Sequence, residues 1–293
     1  MKLPRPNKNI FRICVGLIGL VGIAYLSACT YIWKQQKHFI FMPEREIKKT
    51  PADYHLAFED LYLEIPSESG RIERIHCWWI PADHPSDKYL IYLHGSALNI
   101  GANVSHARRF KELGFSVLLI SYRGYGQSDG EFPTEAQVYA DAEAAWRYLI
   151  KQRKIKPGDI FIYGHSLGGA VAINLAISHP EAKGLIVEAT FTSIADMGRR
   201  YKLYRLLPIE LITHQRFDSI EKVNRLQVPV LFIHGTDDRT VPPEMSRQLY
   251  QRTTSSKQLT LISGGGHNNS ASVGGDTYLE AVRDFVYATG KPI

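Results

Sequence analysis

The segment Tyr163-Gly164-His165-Ser166-Leu167-Gly168-Gly169 places a serine between glycines where a short β-branched and aromatic run, residues 159–163, gives way to a helix rich in small residues. A G-x-S-x-G turn of this kind holds its serine in a sharp, strained backbone conformation with the hydroxyl exposed. The flanking glycines let neighbouring backbone pass without collision. A serine hydroxyl is a poor nucleophile near neutral pH, so it requires a base within hydrogen-bond reach and a carboxylate to orient that base. Both are present downstream. The apolar run 228–233 leads into His234-Gly235-Thr236-Asp237-Asp238, an acidic pair just past a strand. The run 258–262 leads through Ser263-Gly264-Gly265-Gly266 to His267, and of the eleven histidines only His267 follows the acidic loop. A serine, an acid and a histidine in that order, each beyond a predicted strand, suit nucleophilic attack on an acyl carbon.

Further blocks sharpen this reading: Leu93-His94-Gly95-Ser96, then Ser121-Tyr122-Arg123-Gly124-Tyr125-Gly126-Gln127-Ser128-Asp129-Gly130, and the run from His234 through Asp238 and Arg239 to Val241-Pro242. With the serine turn and Gly266-His267, they resemble the α/β-hydrolases of the Bem46-like group, which includes membrane-anchored hydrolases and borders on the serine aminopeptidase-like families. The resemblance spans residue 55 to the C-terminus. In that group's H-G-x-x-D-x-x-V-P pattern the catalytic acid is the fifth residue, which implies Asp238. Asp237 and, after the run 184–187, Glu188 are the alternative acids. The oxyanion donors implied are the N–H of Leu167 and one from the loop after His94, Ser96 with Ala97 as its neighbour. The group carries asparagine after His-Gly where this chain has Ser96. His94 and His234 are expected to fix their loops, His165 to pack or cap, and the Arg123–Gly130 loop to be a structural turn, since it lacks the Lys-Ser/Thr ending of a P-loop.

These side chains need elements to carry them. Strand-like runs at 88–94, 115–120, 159–163, 184–187, 228–234 and 258–262 alternate with helical patterns at 103–113, 134–151, 167–178, 243–251 and 276–288. The alternation predicts an α/β fold of the α/β-hydrolase type, with a mostly parallel central sheet and helices on both faces. An antiparallel pair is expected at 61–65 and 71–80. Between about 192 and 227 the chain carries Met197, Tyr201, Leu203, Leu206, Leu207, Ile209 and Leu211 without a strand-like segment, and it reads as a small helical cap suited to an apolar substrate.

At the N-terminus, Lys2, Arg5, Lys8 and Arg12 precede an uncharged run from Ile13 to Trp33, about long enough to span a bilayer. Residues 1–33 are therefore expected to anchor the chain, 34–54 to link, and 55–293 to form the hydrolase domain. The greater positive charge before the run places that domain on the non-cytoplasmic side. Leu26-Ser27-Ala28-Cys29 also resembles a bacterial lipobox, which would make Cys29 a lipid attachment point instead. The N-terminal basic residues account for four of the six net positive charges, so nothing suggests nucleic acid. Cys77 is alone in the domain, no Cys/His cluster has zinc spacing, and no glycine-rich dinucleotide fingerprint follows a strand; no cofactor or metal is expected.

The expected activity is serine hydrolysis of a carboxylic ester or thioester through an acyl-enzyme, the substrate being small or lipid-like. Peptidase activity of the aminopeptidase-like group is the second reading, and a binding protein that has kept the fold is the third.

Overall fold

Continuous apolar runs become strands buried on both faces, because only a sheet covered on both sides hides such segments from water. The computed structural model describes residues 8–66, 70–202 and 204–290; Lys2, Arg5 and Leu203 lie outside them. Among the described residues, strands β1 (Met42–Pro43), β2 (Glu59–Pro66), β3 (Ile72–Ile80), β4 (Tyr89–Leu93), β5 (Ala97–Leu98), β6 (Ser116–Ile120), β7 (Ile160–His165), β8 (Gly184–Glu188), β9 (Val230–Gly235) and β10 (Lys257–Ile262) occur in chain order. Eight of them form one sheet in the order β10-β9-β8-β7-β4-β6-β3-β2. Its ladders are parallel from β10 to β6, whereas β3 runs antiparallel to both β6 and β2. The antiparallel pair lies where expected, and β2 shows the alternating exposure of a half-covered edge.

Helices cover both faces. Helix α2 (Val104–Glu112) covers one, with Val104, Ala107 and Phe110 packed beside Tyr92, Phe161 and Tyr163. On the other, α3 (Glu135–Lys151) and α4 (Leu167–Ser178) bury Val138, Trp146, Val171 and Leu175 against Ile91, Leu118 and Ile162. Helix α3 begins with a capping box, Thr134 accepting from Gln137 N and the Gln137 side chain accepting from Thr134 N. The cap is made of short pieces: α5 (Ile194–Arg199), α6 (Ile209–Ile212) and α7 (Ser219–Lys222). Then follow α8 (Pro243–Arg252), α9 (Ser270–Gly274) and α10 (Asp276–Gly290), the last seating Tyr278, Val282 and Phe285 on the α2 face.

Residues 34–54, expected to link the N-terminal segment to the domain, continue α1 and dock on the domain. The N-terminal helix, α1, runs Lys8–Ile40, past Trp33 and through Lys34, Gln35, Gln36 and Lys37, because none of these residues breaks a helix. The chain then lies on the domain: Phe41 is fully buried near Phe217, β1 pairs with β5 in parallel, and Asn99 Nδ2 donates to the carbonyls of Glu44 and Glu46 at 3.0 and 2.7 Å. The stretch Phe11–Ile40 is long and apolar enough to cross a membrane.

Candidate active site

The loops at the carboxyl ends of β4, β7, β9 and β10 converge, as they do in open α/β sheets that bind ligands at that edge. Ser166, between β7 and α4, has φ 54° and ψ −119°, a left-handed conformation costly for any residue but glycine. Its backbone is clamped: Ser166 N donates to Glu188 O at 2.9 Å, and Ser166 O accepts from Gly169 N at 2.9 Å and Thr190 Oγ1 at 2.8 Å. The turn also requires its glycines. A Cβ on Gly164 would lie 2.1 Å from Gly168 O, and one on Gly168 would lie 2.1 Å from Leu93 O.

Ser166 Oγ lies 3.0 Å from His267 Nε2, and His267 Nδ1 lies 2.7 Å from Asp238 Oδ2. A carboxylate can only accept, so Nδ1 carries the proton and Nε2 is left to accept from the serine. Asp238 Oδ1 receives the N–H groups of Thr240 and Val241, each at 2.8 Å. Burial by itself would raise the Asp238 carboxyl, but hydrogen bonds from His234 and His267 and from the Val241 backbone outweigh it, holding the group well below the ordinary carboxylate range. Asp237 is exposed and accepts from its neighbour Thr236 at 3.0 Å, away from the histidine. Glu188 is buried beneath the turn, where Oε2 accepts from Tyr163 and Tyr278, each at 2.7 Å.

Supporting histidines hold this chain of atoms. His234 Nε2 donates to Val241 O at 2.9 Å and reaches Asp238 Oδ2 at 3.2 Å, while Nδ1 takes the hydroxyl of Ser246 at 2.6 Å. His165 Nε2 donates to His267 O at 2.8 Å, tying the serine turn to the loop that carries His267. Burial lowers the pKa of His165, so it stays neutral in this role. That contact could have been suspected only from the position of His165 beside Ser166, because its partner lies 102 residues away.

Ser96 and Leu167 line one cavity with Ser166 and His267. Leu167 is the first residue of α4, where helix N–H groups have no intrahelical acceptor. The Gly95–Ser96 peptide is held from behind by His94, whose buried Nδ1 donates to Gly95 O at 2.7 Å. In a trans peptide the Ser96 N–H then points the opposite way. Burial lowers the His94 pKa to about 4, keeping the ring neutral. The next peptide is held by Met42 N and Tyr125 Oη, which donate to Ser96 O at 2.8 and 2.6 Å.

The cavity has a volume of about 690 Å³. Besides the site loops, its walls include Phe39 and Ile40 from the end of α1, Met42 from β1, and Ile194, Met197 and Tyr201 from the cap. The contribution of residues 39–42 was missed in the sequence, although the apolar run Phe39-Ile40-Phe41-Met42 after Lys37 was a visible signal. Arg123 is fully engaged, with Nε on Asp141 Oδ1 and Nη1 on Glu73, both at 2.8 Å, and Nη2 on Gln137 O at 3.1 Å, so its loop is a structural turn. Among the described residues no cluster of His, Cys, Asp or Glu could hold a metal ion.

Residues 84–217 and 214–270 match the family described as serine aminopeptidase, S33. Protein bem46 of Schizosaccharomyces pombe is 31% identical over 290 residues, covering 92% of this chain and 91% of its own length. The alpha/beta hydrolase domain-containing protein WAV2 of Arabidopsis thaliana is 30% identical over 302 residues, 94% of each chain. Among solved structures, the Pyrococcus furiosus esterase Pf2001 superposes with a TM-score of 0.69 at 22% identity, over 85% of this chain and 100% of that one.

Proposed function

Because the chain belongs to the serine aminopeptidase-like S33 family of α/β-hydrolases, we propose that it is a serine hydrolase cleaving carboxylic esters or thioesters through an acyl-enzyme. The observation that carries this reading is the unbroken chain of contacts from Ser166 Oγ through His267 to Asp238, at 3.0 and 2.7 Å. Ser166 Oγ attacks the acyl carbon and His267 Nε2 takes its proton. The same proton passes to the departing alcohol or thiol, and water, deprotonated by His267, then releases the acid. Asp238 orients His267 and stabilises its charged form. The Leu167 and Ser96 amides stabilise the oxyanion; loss of one such donor typically costs about 3 kcal/mol.

Ester cleavage is favoured over aminopeptidase activity by the lining of the cavity. An aminopeptidase must bind the substrate's free ammonium group, and among the described residues no Asp or Glu lines the cavity. Its walls are largely apolar, which suits an acyl chain. We place the protein in a membrane through α1, with the domain on the non-cytoplasmic side. Support comes from the uncharged run and from the helix that continues past Cys29 to Ile40.

The test is hydrolysis of nitrophenyl esters of graded chain length by the full chain in detergent, beside labelling by a fluorophosphonate probe. Turnover and labelling that both disappear in Ser166→Ala are expected. A folded wild-type protein that neither labels nor turns over would instead be a binding protein on the hydrolase fold.

A further inference from the structure

We propose that the cap dips into the membrane beside α1 and that the cavity receives a single-chain acyl ester directly from the bilayer, through a mouth at the seam between the cap and the anchor. This deepens the reading above, since it rests on α1 spanning the membrane and on Ser166 as nucleophile.

The anchor is not a free tether. Tyr25 Oη donates to Leu206 O at 3.1 Å, the Trp33 ring packs on His214 with centroids 5.4 Å apart, and the buried Gln36 side chain donates to Ile212 O while accepting from His214 N and Gln215 N at 3.0 and 3.1 Å. The cap therefore runs alongside α1 from residue 36 back to residue 25, a distance of about 16 Å at the helical rise. Trp33 ends the uncharged run, and tryptophan sits at the level of the headgroups. Tyr25, eight residues before it, then lies about 12 Å deeper, inside a leaflet whose apolar half-thickness is about 15 Å. The cap is thus fixed at a depth where water-facing side chains would be out of place. Exposed there are Leu206, 72% accessible, and Leu211, 85% accessible, with the charged Arg205 and Glu210 exposed beside them. Around them Arg199 is paired with Asp196 and Glu210, Arg200 donates to the carbonyls of Arg239 and Thr240, and Lys202 and Arg205 are exposed, long cationic side chains able to reach back to phosphates.

The mouth faces the same way. Phe39, Met42 and Tyr201 each line the cavity and are also at least half exposed, at 50%, 55% and 63%, so the opening lies between the end of α1 and the cap. Phe39 stands six residues beyond Trp33, about 9 Å above it, just past the headgroup layer. An ester carbonyl can rise to Ser166 from there while its tail keeps to the apolar seam. One acyl chain fits a cavity of about 690 Å³.

The experiment uses the full chain in phosphatidylcholine vesicles. A bimane attached at Leu211→Cys, in a Cys14→Ser background, should be quenched by doxyl-labelled lipids. In Leu206→Glu/Leu211→Glu, neither residue of which lines the cavity, kcat/KM for a long-chain monoacylglycerol carried in the vesicles should fall at least tenfold, while that for nitrophenyl acetate stays within twofold. A bimane that the lipid quencher does not reach, or a double variant whose ratio of long-ester to acetate activity equals that of the wild type, overturns the proposal. Failure of the underlying readings looks different: acetate turnover that survives Ser166→Ala removes the nucleophile, and release of the chain by alkaline carbonate removes the span.

Discussion

If Ser166, His267 and Asp238 work as the proposed triad, substitution should separate their contributions. Ser166→Ala and His267→Ala are each expected to lower kcat at least 10³-fold, because the nucleophile and its base act as a unit. Neither should move the thermal midpoint by more than about 2 °C, since both side chains sit at the cavity rather than in the core. Asp238→Asn should cost on the order of 10⁴-fold through the wrong imidazole tautomer, whereas Asp237→Asn, on an exposed side chain, should leave kcat within twofold. Equal losses in the two aspartate variants would move the role of acid off Asp238. The same carboxyl also links stability to pH. Its pKa is depressed in the native protein, so it stabilises the fold above the unfolded aspartate value of about 3.9, and that contribution disappears as pH falls toward the native value. Urea midpoints below pH 4 should therefore drop more steeply for the wild type than for Asp238→Asn. Parallel profiles would show that the carboxyl gains nothing from His234, His267 and the Val241 backbone.

Elements position these groups with little slack, and the serine turn has the least. Gly168→Ala would force a Cβ to 2.1 Å from Leu93 O, a backbone clash no rotamer relieves, and it should destabilise by more than about 3 kcal/mol. Arg123→Ala tests a different joint. It would leave the fully buried Asp141 without the guanidinium that binds it at 2.8 Å, an uncompensated charge expected to cost about 3–5 kcal/mol; a denaturant midpoint close to wild type would mean that Asp141 is protonated or solvated. What the sequence made legible follows from this same physics. Strands buried on both faces appear as unbroken apolar runs, so β4, β6, β7, β8 and β9 were anticipated within a few residues, as was the part-exposed edge strand β10. Helix α4 was anticipated to its ends because the glycines that open it are dictated by sterics. The pairing of Met42–Pro43 with Ala97–Leu98 was not: two residues are too few for any periodicity, and the ladder depends on segments more than fifty residues apart. The cap's helices, of four to six residues, likewise carry too few turns for a hydrophobic face to register, so the sequence located a cap without describing it.

On the scale of the whole molecule, α1 packs on the hydrolase domain through Gln36 and the segment after it, where the sequence suggested a span, a linker and a domain. The run from Ile13 to Trp33 was legible because composition alone marks it. Its docking was not, since the contacts of Gln36 with Ile212, His214 and Gln215 join residues nearly 180 positions apart and leave no local signature. The consequence is that residues just after that run should carry stability and activity together. Phe41 is fully buried, packs near Phe217, and precedes the Met42 N–H that holds Ser96 O at 2.8 Å. If residues 34–54 merely linked, Phe41→Ala would cost almost nothing. As a core side chain it should cost about 3–5 kcal/mol, lowering the melting temperature of the full chain in detergent by on the order of 10 °C. The same substitution loosens the peptide next to the Ser96 amide, so kcat for a soluble ester should fall below the melting transition as well, by several-fold. A variant that melts with the wild type and turns over at its rate would show that the docked segment detaches freely from the domain. Loss of stability with kcat unchanged would confine its role to packing, and loss of both would make the start of the domain a working part of the site.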